Sequence, residues 1–346
     1  MCLPGRKLPR LPARASQSVA VTRRVAPPAV VVRSGRPAYH AYHIVTAPAL
    51  PTPEEAPALA PRPGSTLWRY AGDARLLAGA GYALLLQVAH PTVGAGVGQH
   101  SNYAEDPWGR LLRTLDYTYV MVYGGPRLAA DTGRRVRDLH KRIKGERPDG
   151  TRYHALEPEA YAWVHATLAQ AIVGGHRAFG RPMRPDTRER FYAQWRDVGR
   201  LVGVRPDDLP ETWEGFGEYF DGMVAERLED NEVVQGVLVT LTRPTAPPVP
   251  GLGEGVWRVA RLPLARLGAL ATVGLLPAQL RSRFRLDWTR AQEMEFAALC
   301  RASRAATRAM PAALRNTGPG YVRWRREALE RGDVAGPATH ARLDAA

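Results

Sequence analysis

Proline at helix starts and glycine at helix ends constrain this chain more than any other feature. Asp106-Pro107 reads as an N-cap with proline at the first helical position, opening a helix that stops at Gly124-Gly125. Pro126 opens the next, which Gly145 is expected to close, and Pro158 opens a third running to about Phe179. Residues 67–90 read as the first core helix, ended by His90-Pro91, with a glycine-rich loop, PTVGAGVGQHSNY, after it. Periodicity of the 3.6 type predicts further helices near 186–203, 210–228, 231–242, 255–275, 287–309 and 320–330. Neither an Asn-Gly hairpin signal nor sustained period-2 alternation interrupts the series. The predicted fold is all-α: one multi-helix domain over residues 65–330, with no repeat of 20–50 residues.

Composition bounds what such a bundle can do. Hydrophobic residues are 45% and charged residues 23% of 346, ordinary globular usage that excludes a wholly disordered chain and a polytopic membrane protein. The formal charge of +15 raises nucleic acid or an anionic surface as a partner. Of 48 basic residues, however, only Lys7, Lys141 and Lys144 are lysines, the arginine bias of a GC-rich coding sequence. Residues 1–60 hold eight basic residues and two acidic ones, so +6 of the +15 lies there and the core carries +9. No helix-turn-helix spacing or interleaved aromatics accompany the arginines, and nucleic acid is not expected as a partner. Residues 1–64 read as a disordered, basic, proline-rich extension, with an organelle-type leader or a misassigned start codon as alternatives. Residues 331–346 read as a flexible tail. Cys2 and Cys300 are the only cysteines, which excludes a disulfide framework and a cysteine-based zinc site and makes the cytoplasm the default compartment. The most apolar stretch, 262–280, reads as a buried core helix, with contact at a membrane surface as the alternative.

Four local patterns are candidates for chemistry. GAGVG between Gly94 and Gly98 lacks the preceding strand and Gly-Lys-Ser/Thr that a phosphate cradle requires, so close packing or a tight turn is the better use of its glycines. Arg110, Arg113, Thr114 and Tyr117 share one face of the helix from Pro107. That helix is apolar over much of its circumference, so the stripe either pairs with Asp106, Asp116 or a distant carboxylate, or forms a polar wall facing an anionic ligand or oxygen. His140 lies on the core stripe Ala129, Gly133, Val136, His140, Ile143, opposite a wet side with Arg134, Arg135, Arg137, Asp138, Lys141 and Arg142. It is either a hydrogen-bonded core histidine or a metal ligand, and Gly133 would let a flat ligand or another helix approach. His165 lies on a stripe with Tyr161, Leu168 and Ile172, while His90 and His100 bracket the glycines. No HExxH, EF-hand or Glu-x-x-His spacing joins these histidines to carboxylates. Histidines on separate helices suit a single axial ligand to a macrocycle better than a zinc or di-iron site.

LLLQVAHPTVGAGVGQHSNY, DPWGRLLRTLDYTYVMVYGG, VRDLHKRIKG and EAYAWVHATL, in this order and spacing, resemble the MpaB-type oxygenases. That family includes latex-clearing rubber oxygenases and an endoplasmic-reticulum-bound oxygenase of the mycophenolic acid pathway. The resemblance covers about 65–325, and 84–145 is its specific part. It implies a haem b-dependent oxygenase, with a globin-like core, acting with O2 on a small apolar organic substrate by cleavage or hydroxylation. The histidine of the family's H-x-x-hydrophobic-x-G segment, the proximal iron ligand, maps onto His140. The R-x-x-K/R-T segment of the distal side maps onto Arg110, Arg113 and Thr114, with Arg113 and Thr114 hydrogen-bonding oxygen. His165 and His100 carry over as pocket-wall residues. Rubber oxygenases place a lysine where this chain has Arg113, and arginine, always protonated, is a poor iron ligand. That departure argues against rubber cleavage and for an open or water-bound distal site. Two alternatives to an oxygenase are a haem sensor or carrier without turnover, and a basic helical structural or membrane-surface protein.

Overall fold

Helix breaks set the layout of the N-terminal third. The computed structural model describes residues 50–247, 253–311 and 315–331. Helix α1 (Ala56–Leu59) comes first, then α2 (Thr66–Tyr70), a 3-10 helix at Ala74–Gly79 and α3 (Ala80–Val88). The expected single helix over 67–90 is therefore broken at Gly72-Asp73. The Asp73 carboxylate accepts from the Arg75 amide at 3.0 Å and pairs with the Arg75 guanidinium, capping a new turn. The expected boundary at Gly64 also moves, because 50–64 is ordered and Ala56, Leu59 and Ala60 are buried. The remainder of the expected extension (1–49) and the expected tail from 332 lie outside the described residues.

The glycine-rich stretch is a helix, not a loop. Pro91 at its first position and His90 as N-cap residue start α4 (Pro91–His100). Its glycines are used for close packing: a Cβ on Gly94 would lie 2.5 Å from the Val88 carbonyl oxygen. Helix α5 (Pro107–Tyr123) begins as the sequence predicts, with the Asp106 carboxylate accepting from the Gly109 amide at 2.8 Å. Gly125, at φ 80, turns the chain into α6 (Pro126–His140). That helix ends five residues before Gly145, because a hairpin absent from the sequence reading follows. Strand β1 (Lys144–Glu146) pairs antiparallel with β2 (Arg152–His154) across a turn containing Gly150 at φ 81.

Helix α7 (Pro158–Phe179) and α8 (Pro185–Val202) form the centre of the molecule. Trp163, Phe191, Tyr192 and Trp195 on these helices are almost inaccessible to solvent, as is Phe216 on α9 (Trp213–Glu226). Each indole N–H finds a carbonyl: Trp163 donates to Leu86 at 2.8 Å and Trp195 to His165 at 3.0 Å. Helices α10 (Glu232–Thr242), α11 (Glu254–Leu275), α12 (Ala278–Arg283), α13 (Arg290–Ala309) and α14 (Gly318–Glu330) complete the bundle. Among the described residues the bundle is all-α apart from the two short strands.

The apolar 262–280 stretch is not uniformly buried. Leu270, Ala271, Leu276 and Leu280 are buried, whereas Leu262, Leu264 and Leu267 are 67%, 52% and 46% exposed. Among the described residues no single helix is long and apolar enough to cross a membrane. Ala74–Val88 and Pro91–His100 meet the length and composition together, but they meet at 104° and Leu85, Leu86 and Val88 are fully buried core.

Candidate functional site

His140 is the last residue of α6, and its ring is fixed from two sides. Nδ1 lies 2.7 Å from the Val136 carbonyl oxygen, so Nδ1 must carry the proton and donate, which makes Nε2 the basic nitrogen. The ring meets Tyr161 of α7 edge-on, with centroids 5.5 Å apart. Tyr161 is fixed in turn by donating its hydroxyl to the Val202 carbonyl at 2.9 Å. Tyr117 of α5 reaches the same place. Burial pushes both phenols well above the ordinary tyrosine range, and the two rings sense each other's charge at Tyr117.

Arg137, which the sequence reading puts on the wet side of α6, is buried. It lies with Tyr161, Val202, Gly203, Arg205 and Asp208 around a small pocket, one turn from His140. Glycine at 203 makes room for it, since a Cβ there would come within 2.9 Å of the Arg137 guanidinium. Gly133 is occupied by protein: a Cβ there would collide with the Leu201 carbonyl, so α8 takes the space.

The stripe on α5 is only partly neutralised. Arg113 pairs with Asp106 at 3.3 Å and donates to Asn102 at 3.2 Å. Asp116 is claimed from the far side by α14, accepting from Arg325 at 2.9 and 3.0 Å and from the Tyr321 hydroxyl. Among the described residues no carboxylate pairs with Arg110, whose one side-chain hydrogen bond runs to the Ser101 hydroxyl at 3.1 Å. Burial, and the neighbouring charge of Arg113, push its guanidinium down to about 10. The Thr114 hydroxyl donates back to the Arg110 carbonyl at 3.1 Å.

The remaining histidines lie apart from this cluster. His165 is buried between α7 and α8, stacked on Trp195 at 4.6 Å, with Nε2 2.8 Å from the Trp195 carbonyl. Burial pushes its pKa down to about 4, so it is neutral. His100 bonds the Lys144 carbonyl at 3.2 Å and ties α4 to the hairpin. His90, at the start of α4, contacts Glu159, which also pairs with Arg227. The His90 contact, with Arg227 behind it, holds the Glu159 carboxyl at about 2. No three His, Cys, Asp or Glu side chains converge as a metal-binding group among the described residues. Sequence reasoning assigned no role to Tyr161 or Arg137. The signal for Arg137 was its spacing, three residues before His140 on the same helix face.

A sequence profile for the catalytic domain of the ER-bound oxygenase mpaB/B' and rubber oxygenase proteins matches residues 68–305. The chain belongs to this oxygenase family. Two curated mycobacterial relatives share 25% identity with it over 238 residues, 66% of this chain and 87% of theirs. They are the uncharacterized protein Mb2261 of Mycobacterium bovis and the uncharacterized protein Rv2237 of Mycobacterium tuberculosis. No solved structure matches the chain significantly. The matched region takes in α3 to α12, most of α13 and the hairpin, so every candidate residue of this oxygenase domain lies inside it.

Proposed function

We propose that this oxygenase domain holds haem b, with His140 as the residue that would bind its iron, and acts on a small apolar organic substrate with O2. The observation that carries the reading is the His140 tautomer: Nδ1 donates to Val136, and the basic nitrogen is Nε2. A macrocycle brings four nitrogens of its own and asks the protein for one, which the basic Nε2 of His140 could supply. Arg110 suits the same group, being a desolvated cation with a neutral partner, and haem carries two carboxylates.

Haem, when bound, supplies the oxygen chemistry. The chain's own contributions follow from its geometry. The Val136 carbonyl and Tyr161 hold the His140 ring in one orientation, so little entropy is lost when it ligates. Arg110 offers charge-assisted hydrogen bonds to an anion or a polar oxygen. Arg113 is tethered to Asp106 and Asn102, and a guanidinium has donors but no acceptor, so it can donate hydrogen bonds but cannot act as a lone-pair ligand. Burial keeps the Tyr117 and Tyr161 phenols neutral, so Tyr161 brings no charge to the His140 ring it packs against.

The test is oxygen uptake by haem-loaded protein offered a panel of apolar substrates, including polyisoprenoid and fatty-chain compounds. Substrate-dependent oxygen consumption with a matching oxygenated product is expected. Haem-loaded protein that consumes no oxygen above its substrate-free rate with any compound would make it a sensor or carrier instead.

A further inference from the structure

The N-terminal half of α11 stands largely clear of the bundle. Over 254–267 only Trp257 and Ala265 are buried. Val256, Val259 and Leu267 recur with Pro263 at helical spacing along one face, 62%, 78% and 46% exposed, and Leu262 and Leu264 flank it. An apolar face of this size on a water-soluble surface is unusual. The same turns carry exposed Arg258 and Arg261 away from that face, with Arg266 at its edge, where it pairs with Glu295 at 2.7 Å. No acidic residue lies between Val256 and Leu267, whereas three arginines do.

An apolar face backed by arginines on an exposed helix is the arrangement of a helix that lies in the plane of a lipid interface. Its aliphatic side chains enter the acyl boundary and the guanidiniums reach headgroup phosphates. We propose that α11 docks this protein on the surface of an anionic lipid bilayer through Val256, Val259, Leu262 and Leu267, with Arg258 and Arg261 supplying the attraction to negative headgroups. The positive charge of the whole chain acts in the same direction. The seat differs from the 262–280 span expected from sequence: it is shifted towards the start of α11, because the second half of that span is core. The inference does not depend on haem or on the reaction.

The test uses the full chain and sucrose-loaded vesicles of phosphatidylcholine alone or with one-third phosphatidylglycerol, separated by sedimentation. Tight binding to the mixed vesicles is expected, with at least tenfold weaker binding to neutral ones and weakening as salt rises. Val259→Glu with Leu262→Glu should reduce binding to the mixed vesicles at least tenfold with circular dichroism and melting unchanged, since both side chains are exposed. Arg258→Glu with Arg261→Glu should abolish the preference for anionic lipid. Wild-type binding by both double variants would overturn the proposal and assign any lipid affinity to the basic residues of 1–49. Wild-type protein that dimerises in solution and does not bind vesicles, with the Val259/Leu262 variant monomeric, would overturn it in favour of a second copy.

Discussion

Burial lowers the pKa of both Arg110 and His165, but from different starting points, so the guanidinium stays charged while the imidazole is neutral. Arg110 is charged with no carboxylate among the described residues to answer it, so its replacement by an apolar residue removes a desolvation cost along with a hydrogen bond to Ser101. Arg110→Met should leave the haem-free fold within about 1 kcal/mol of wild type, or more stable. It should weaken haem binding tenfold to a hundredfold, the value of one charge-assisted hydrogen bond at about 1.5–3 kcal/mol. Urea unfolding of the haem-free protein and haemin titration measure the two separately. His165 is instead kept neutral, its pKa lowered by burial from 6.5 to about 4. Above pH 6.5 neither state is protonated. As pH falls from 6.5 towards 4 the unfolded chain takes up a proton that the folded one refuses, and about 3 kcal/mol of stability is lost. Urea midpoints at pH 7 and pH 4.5 should show that loss, and His165→Gln should reduce it.

At the scale of the element, α6 is positioned by what it lacks. Gly133 touches the Leu201 backbone, so α6 approaches α8 as closely as a helix can, and His140 sits two turns further along the same helix. Gly133→Ala should cost about 3 kcal/mol by overpacking and reduce haem content with it. Gly217→Ala on α9, where a Cβ meets nothing within 4 Å, should instead gain about 0.5–1 kcal/mol from helix propensity. Thermal melts of the two variants beside wild type test the pair. The same physics explains which elements could be read from sequence. Pro107, Pro126 and Pro158 mark true helix starts because proline loses nothing at a first turn. The GAGVG segment misleads because glycine's intrinsic cost in a helix, about 1 kcal/mol each, is outweighed by contact with Val88 and Asn231, residues remote or unremarkable in sequence. The hairpin at 144–154 hides for a related reason: its strands are three residues long and pack under α4 instead of forming an alternating sheet.

For the whole molecule, the arrangement of the candidate site was legible in part. The stripe Arg110, Arg113, Thr114, Tyr117 and the histidines are visible in the helical period, and the family resemblance connects them. Which carboxylate takes which arginine was not, because Asp116 is claimed by Arg325 from α14, 209 residues away and beyond the family-matched region. With that long-range pairing, and Asp106 taking Arg113, no carboxylate among the described residues pairs with Arg110. Convergence of α5, α6 and α7 on Tyr161 is likewise a property of packing, since no local motif encodes which faces meet. His140 is thus the centre of the proposed haem site. The most direct measurement is the absorption spectrum, 350–700 nm and before and after dithionite, of haemin-reconstituted wild type and His140→Ala. A strong Soret band near one haem per chain is expected in wild type, with loss of haem or a changed spectrum in the variant, restored by added imidazole. A wild type that refuses haemin, or a variant with full haem content and an unchanged spectrum, would contradict it.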